Sequence, residues 1–392
     1  MKRFSQIVSY LLVGVAASVG TIIGMNSRPA APDPGQTVVY SDKLLEVQTL
    51  IEEKFIGEVE TAELYEGAAA GMVGATGDRW SYYMTAEEYA SYLETMANAY
   101  VGVGITIQVR EDGYLDVTQV TKGGGAEAAG VQVGDIITAV EGRDAAELGT
   151  SGARDIIRGE EGTFVTVTFR RDGVSMDLTL ERRYIETEVA TGTMLEGNIG
   201  LVTIVNFDER CYSETVSIIE TLRQAGAKAL IFDVRHNPGG YKSELVDLLD
   251  YLLPEGVLFR SEHYTGAVEV DESDASYLDM PMAVLINGDS YSAAEFFAAA
   301  LREYDAAVLV GEATTGKGYF QNTFTLSDGS AVNLSTGRYT TPNGVCLAGV
   351  GLTPDVTVEV DEETAMAIYG GTLAPMEDPQ ILAAAEQLKG EE

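Results

Sequence analysis

The sequence predicts an α/β fold with a largely parallel sheet, and three observations carry that expectation. Ile199 to Val205 and Ala229 to Val234 are continuous apolar runs of strand length. Between them Ser213 to Gln224 places Val216, Ile219 and Leu222 at helical spacing. The same strand–helix–strand order returns in Met282 to Ile286, a helix opening at Ser292-Ala-Ala-Glu295, and Ala306 to Val310. From Tyr100 to about Leu180 the pattern changes to short alternating strands separated by glycine turns, which marks a second, β-rich module.

At the start of the chain, Lys2-Arg3 precede Ile7 to Met25, a charge-free apolar stretch long enough to cross a bilayer with its basic end inside. Residues 1–27 are therefore expected to be a transmembrane signal anchor, with the rest of the chain extracytoplasmic. The alternative is a signal cleaved near Ala16-Ala-Ser18 and a secreted product. Residues 28–40 open with RPAAPDPG, a semi-rigid spacer. Leu44, Val47, Leu50, Ile51 and Phe55, then Leu64 to Met72, give residues 41–98 a helical character.

Composition narrows the partners. The 392 residues hold 61 Asp and Glu against 25 Lys and Arg, a net charge of −36 that repels nucleic acid and anionic lipid. Hydrophobic residues make up 45%, enough for a sizeable core. Cys211 and Cys346 are the two cysteines and His236 and His263 the two histidines. That excludes a disulfide framework or a histidine-rich metal site and leaves little material for a Ser-His triad; whether the cysteines pair is left open.

The β-rich module carries Gly102-Val103-Gly104-Ile105, then Ala126-Glu-Ala-Ala-Gly130, then Gly134-Asp135, in that order. Residues 99–185 resemble a PDZ domain. The resemblance implies that backbone N–H groups of Gly102, Val103, Gly104 and Ile105 face a peptide's terminal carboxylate, while the peptide adds as a strand beside Ile105 and Ile107. Ser151 to Arg158 is then the helix bordering the groove, and Arg158 would sense a bound tail.

The chemistry concentrates in Asn287 to Gln321. Ser292 starts a helix, where unsatisfied N–H groups and the dipole favour negative charge, and Lys317 sits in Gly311-Glu-Ala-Thr-Thr-Gly-Lys-Gly318 after the next strand. A lysine serves as base to a serine only where burial lowers its pKa. Taken alone, the pattern is equally a helix cap and a loop charge. Ser290-Tyr-Ser-Ala-Ala-Glu295, Thr315-Gly-Lys-Gly318 and Gln321 resemble the signature of the C-terminal processing, or tail-specific, peptidases. Arg235-His-Asn-Pro-Gly-Gly240 resembles that family's R-N-N-P-G-G loop, and Asp78 to Tyr89, Tyr339 to Gly344 and Gly351 to Asp355 resemble further segments.

The resemblance implies a ClpP/crotonase-like peptidase core over residues 186–392 carrying an inserted-type PDZ domain. It implies Ser292 as nucleophile, Lys317 as base and Gln321 holding the lysine amine. The Ala293 N–H and that of Gly239 or Gly240 would form the oxyanion hole. Ser290 and His236 are the rival nucleophile and rival base. His236 stands where the family has asparagine, and Tyr291 and Ala294 where it has small residues. Trp80 and Tyr83 are expected in core packing. No metal or cofactor is implied. The expected partners are proteins or peptides with free C-terminal tails, the membrane through the N-terminal helix, and a second copy in a homo-oligomer. A catalytically silent binding module and a crotonase-like acyl-thioester enzyme are the rival functions.

Overall fold

A computed structural model describes residues 34–389. The expected membrane segment Ile7 to Met25 lies outside them, and among the described residues no helix is long and apolar enough to cross a membrane. Contacts divide the chain after Met72. The first unit consists mainly of the helices Pro34–Lys54 and Thr61–Gly74, joined by Tyr65 Oη donating to Gln48 Oε1 at 2.7 Å and Thr61 Oγ1 to Glu52 Oε1 at 2.9 Å. The first helix begins ahead of the expected start at Ser41, because the proline at its first position needs no N–H partner.

In the second unit the β-rich module is an antiparallel sheet in the order Ile105–Val109, Leu115–Val120, Ile136–Val140, Phe164–Arg171, Val174–Glu181. Alternate residues, among them Leu115, Val117, Ile137, Val165, Val167 and Phe169, form its buried core. The bordering helix is Ala145–Ile157, longer than the sequence suggested. Asp144 caps it by accepting the N–H groups of Ala146 and Glu147, and Gly149 at φ +65° breaks it before Ser151.

A two-stranded stalk, Ala99–Gly102 against Arg183–Glu186, carries the module. At its base the Asn98 amide donates to Asn206 Oδ1 at 2.5 Å and Asp208 Oδ2 at 2.9 Å, and Arg210 reaches the Thr187 carbonyl at 2.9 Å.

The α/β core is a six-stranded sheet in the order Ala190–Leu195, Ile199–Ile204, Ala229–Asp233, Met282–Ile286, Ala307–Gly311, Val356–Thr357. Only the first pairing is antiparallel. Such strands are buried on both faces, which is why they read as unbroken apolar runs. One face packs on the helices Cys211–Gln224, Lys242–Leu252 and Ala293–Glu303, and the other on Pro379–Gln387. A further antiparallel sheet, unread in the sequence, joins Tyr82–Met84, Ala331–Thr340, Gly256–His263 and Val268–Ser273, with Tyr319–Thr325 also paired to Ala331–Thr340.

Candidate active site

Three neighbouring parallel strands end side by side, so the loops that leave them share the carboxyl edge of the sheet, where open α/β folds place their sites. The loop after Ala229–Asp233 carries Arg235 to Gly240, the loop after Met282–Ile286 carries Asn287 to Ser292, and the loop after Ala307–Gly311 carries Thr314 to Gly318.

Ser292 stands at φ +59°, ψ −126° between strand and helix. This is a strained backbone for a residue with a Cβ, and strained residues of this kind concentrate at functional sites. The reach-back half of the expected S-x-x-E box does form, with the Ser292 N–H donating to Glu295 Oε2 at 3.0 Å, while the Glu295 N–H goes to the Ser292 carbonyl at 2.9 Å.

Glu295 is fully buried and joins the two loops. Its Oε2 also accepts the Lys317 N–H at 2.8 Å, and its Oε1 accepts the Gly316 N–H at 2.8 Å and the Thr314 hydroxyl at 2.5 Å. Ser292 and Lys317, 25 residues apart in sequence, thus hang from one carboxylate oxygen. A buried carboxylate is tolerable because every donor is aimed at it. Behind the lysine loop the segment Leu347 to Leu352 acts as a brace. The Gly349 N–H donates to the Gly316 carbonyl at 2.9 Å and the Leu352 N–H to Thr314 Oγ1 at 2.7 Å.

The Lys317 amine makes no ion pair or hydrogen bond among the described residues. Its Nζ lies 4.8 Å from the centre of the Trp80 ring and 5.5 Å from that of Tyr291. Burial pulls its pKa down to about 8, against the opposing attraction of Glu295 and Asp78. Trp80, expected in the core, is therefore a wall of the site. The signal for it in the sequence is the Asp78 to Tyr89 segment, which resembles a peptidase segment.

The glycine loop meets the serine directly. A Cβ on Gly239, at φ +88°, would stand 2.7 Å from Ser292 Cβ and 2.8 Å from the Ala293 nitrogen. The Gly239 N–H already donates to Asn237 Oδ1 at 2.8 Å. Phe207 bonds the Gly239 carbonyl at 2.9 Å and the Tyr241 N–H at 2.7 Å, which leaves the N–H of Gly240 facing away from Phe207 and without a partner among the described residues. Ala293 begins the helix, so its N–H has no intrahelical acceptor.

The remaining candidates separate. Ser290 is fully buried, and its hydroxyl donates to the Val234 carbonyl at 2.7 Å, so it pins two loops together. His236 has both ring nitrogens engaged away from Ser292, Nδ1 with Asp289 Oδ2 at 2.9 Å and Nε2 with the Asn287 amide at 3.0 Å. The Gln321 amide donates to the Tyr319 carbonyl at 3.0 Å and Ser335 Oγ at 3.1 Å; the expected hydrogen bond to the Lys317 amine is not formed.

In the β-rich module, the carbonyls of Val103 and Gly104 accept from the Ala126 and Thr121 N–H groups at 2.8 and 2.9 Å. This anchors the Gly102 to Ile105 loop at the head of Ile105–Val109, an edge strand with one flank unpaired. Ile107 lies on that strand. Arg158 pairs with Glu94 at 3.5 Å and lies over the Tyr100 ring at 5.3 Å, so it faces the stalk. Both cysteines are free.

Comparison with known proteins agrees with these parts. The profile of peptidase family S41 matches residues 198–358, that of the PDZ domain 117–171, and that of the activating protease CtpB N-terminal domain 25–88. The carboxy-terminal processing protease CtpA of Bacillus subtilis is 32% identical over 324 residues, 82% of this chain and 69% of the relative. A CtpA-like serine protease of Staphylococcus epidermidis is 30% identical over 358 residues, 89% of this chain and 71% of the relative. A solved Bacteroides fragilis chain assigned to the S41 proteases shares the fold, with a TM-score of 0.54 at 15% identity over 93% of this chain and 99% of that one.

Proposed function

From the premise that the chain belongs to peptidase family S41, as a carboxy-terminal processing serine protease with a PDZ domain, we propose that Ser292 and Lys317 form its catalytic dyad. Neutral Lys317 takes the hydroxyl proton as Ser292 attacks the scissile carbonyl, then returns it to the leaving amine. The N–H groups of Gly240 and Ala293 receive the oxyanion, a role Gly239 is less free to fill because its N–H is held by Asn237. Gln321 steadies the amine only if its side chain leaves Ser335. The observation that carries this reading is the shared Glu295 oxygen, which joins the backbones of Ser292 and Lys317 while the half-buried lysine amine stays unpaired among the described residues.

The PDZ domain holds the substrate's tail. Its open edge strand Ile105–Val109, headed by the Gly102 to Ile105 loop, supports that role, and Arg158 senses a tail only after leaving Glu94. Lys2-Arg3 and Ile7 to Met25 support an anchor that leaves the peptidase outside the cytoplasm, and a homo-oligomer is compatible with both. Fractionation of cells should find the full-length chain with membranes; a soluble form starting just after Ser18 would mean a cleaved signal.

The dyad is tested by cleavage of a tail-bearing protein. Ser292→Ala, Lys317→Ala and the double variant should be about equally inactive, because residues acting as one unit are not additive. Lys317→Arg should fail as well, since guanidinium does not release its proton. His236→Asn should retain activity, and loss there with survival of Lys317→Ala would move the base to the histidine.

A further inference from the structure

The Lys317 amine is walled by two rings from distant parts of the chain. Trp80 and Tyr291 pack with centroids 5.8 Å apart at a 34° tilt, and both lie within 5.5 Å of Nζ. The backbone beside each ring is held. The Trp80 backbone carbonyl accepts the Asn333 amide at 3.2 Å, its backbone N–H donates to Asp78 Oδ1 at 3.2 Å, and the adjoining Tyr82–Met84 strand is zipped to Ala331–Asn333. The Arg79 guanidinium stacks 4.3 Å from the same indole and reaches the Thr315 carbonyl at 3.5 Å, holding the ring onto the lysine loop. Tyr291 precedes the strained serine, and its N–H donates to the Asn237 carbonyl at 3.1 Å.

We propose that Trp80 and Tyr291 are positioning residues of the peptidase reaction, an aromatic clamp that keeps water from the Lys317 amine and offers π faces to the ammonium it becomes. The inference rests on Lys317 being the base. During acylation the Ser292 oxygen bonds the scissile carbonyl carbon, the carbonyl π pair moves to its oxygen, and the hydroxyl proton passes to Nζ. The rings therefore act twice. Before the step their apolar bulk disfavours charge on the amine, and burial is the leading cause of its depressed pKa. During the step the new cation lies over the ring faces in a half-buried site, where cation–π attraction exceeds that at an exposed one. Tyr291, which departs from the small residue of the family pattern, supplies the second face.

The two actions separate in the pH–rate profile of the purified full-length protein on a tail-bearing peptide. Trp80→Ala should admit water and raise the acid-limb midpoint by about one pH unit towards the ordinary lysine range. Trp80→Leu should keep the apolar bulk but remove the π face from the ammonium, moving the midpoint about one pH unit below that of the wild type and lowering the plateau about tenfold. Trp80→Phe should restore midpoint and plateau together. An unmoved limb in Trp80→Ala, or equal plateaus for Trp80→Leu and Trp80→Phe, overturns the clamp. If Trp80→Ala does not melt cooperatively, the Leu and Phe pair decides. Lys317→Ala is the control: activity there ends the reading of the base itself, whereas an inactive Lys317→Ala beside an unmoved Trp80→Ala limb ends only the clamp.

Discussion

At the scale of single residues, Lys317 carries a cost in stability beside the role proposed for it. Its folded-state pKa of about 8 lies below the unfolded value. The unfolded chain thus binds more protons between these values, so the penalty is fully present below the folded pKa and is relieved as pH rises through that window. Lys317→Met, which keeps the bulk and removes the ionisable amine, should therefore be inactive yet melt a few degrees above the wild type at pH 7. Thermal melts should show the gap closing towards pH 10 to about 10.5, and a gap that widened with pH would contradict a depressed pKa. Glu295 carries the opposite burden. It pulls against neutrality of the amine, yet its four accepted hydrogen bonds are what place the lysine loop.

Among the elements, the loop Arg235 to Gly240 is the tightest junction. Arg235 fixes its root by a bidentate pair with Asp233 and a bond to Gln380 Oε1 at 2.7 Å. Its tip holds two glycines in conformations closed to other residues. Gly239→Ala should cost about 1–3 kcal/mol from the left-handed backbone alone. Because its Cβ would press on Ser292 and Ala293, activity should fall at least ~100-fold, the loss expected when an oxyanion donor is displaced. Urea unfolding measures the first effect and peptide hydrolysis the second; a stable, active variant would show that the loop relaxes freely. The same loop is bonded to Phe207, whose neighbours Asn206 and Asp208 hold Asn98 at the foot of the stalk, so one short segment connects the PDZ support to the proposed oxyanion donors.

For the whole molecule, the proposed capture and cutting sites lie on separate sheets of the second unit, so their kinetic signatures should separate. Amidating a substrate's C-terminus removes the anion that backbone donors at Gly102 to Ile105 would bind. It should raise KM about tenfold while leaving kcat nearly unchanged, since one lost charge-assisted hydrogen bond is worth ~1.5–3 kcal/mol. Equal KM for free and amidated tails would remove the carboxylate from recognition. The net charge of −36 further implies that cationic tails bind faster at low salt and lose this advantage as salt screens the field.

The sequence by itself determined the α/β core, because strands buried on both faces need unbroken apolar runs, and Met282–Ile286 and Ala229–Asp233 are such runs. Ser292 and Lys317 stood out in it only through the likeness of their motifs to a peptidase signature, since a helix-start serine and a loop lysine 25 residues apart carry no local sign of meeting. Only the tertiary structure decided what surrounds them. Trp80 reaches the lysine through pairing of Tyr82–Met84 with a strand some 250 residues later, a contact no local period encodes. The antiparallel sheet built on Ala331–Thr340 escaped for the same reason, its strands being mixed in polarity and joined across long separations. Ser290 and Ser292 look alike in one dimension. They differ because one hydroxyl is buried onto the Val234 carbonyl while the other residue holds a strained backbone between strand and helix, a choice made by packing.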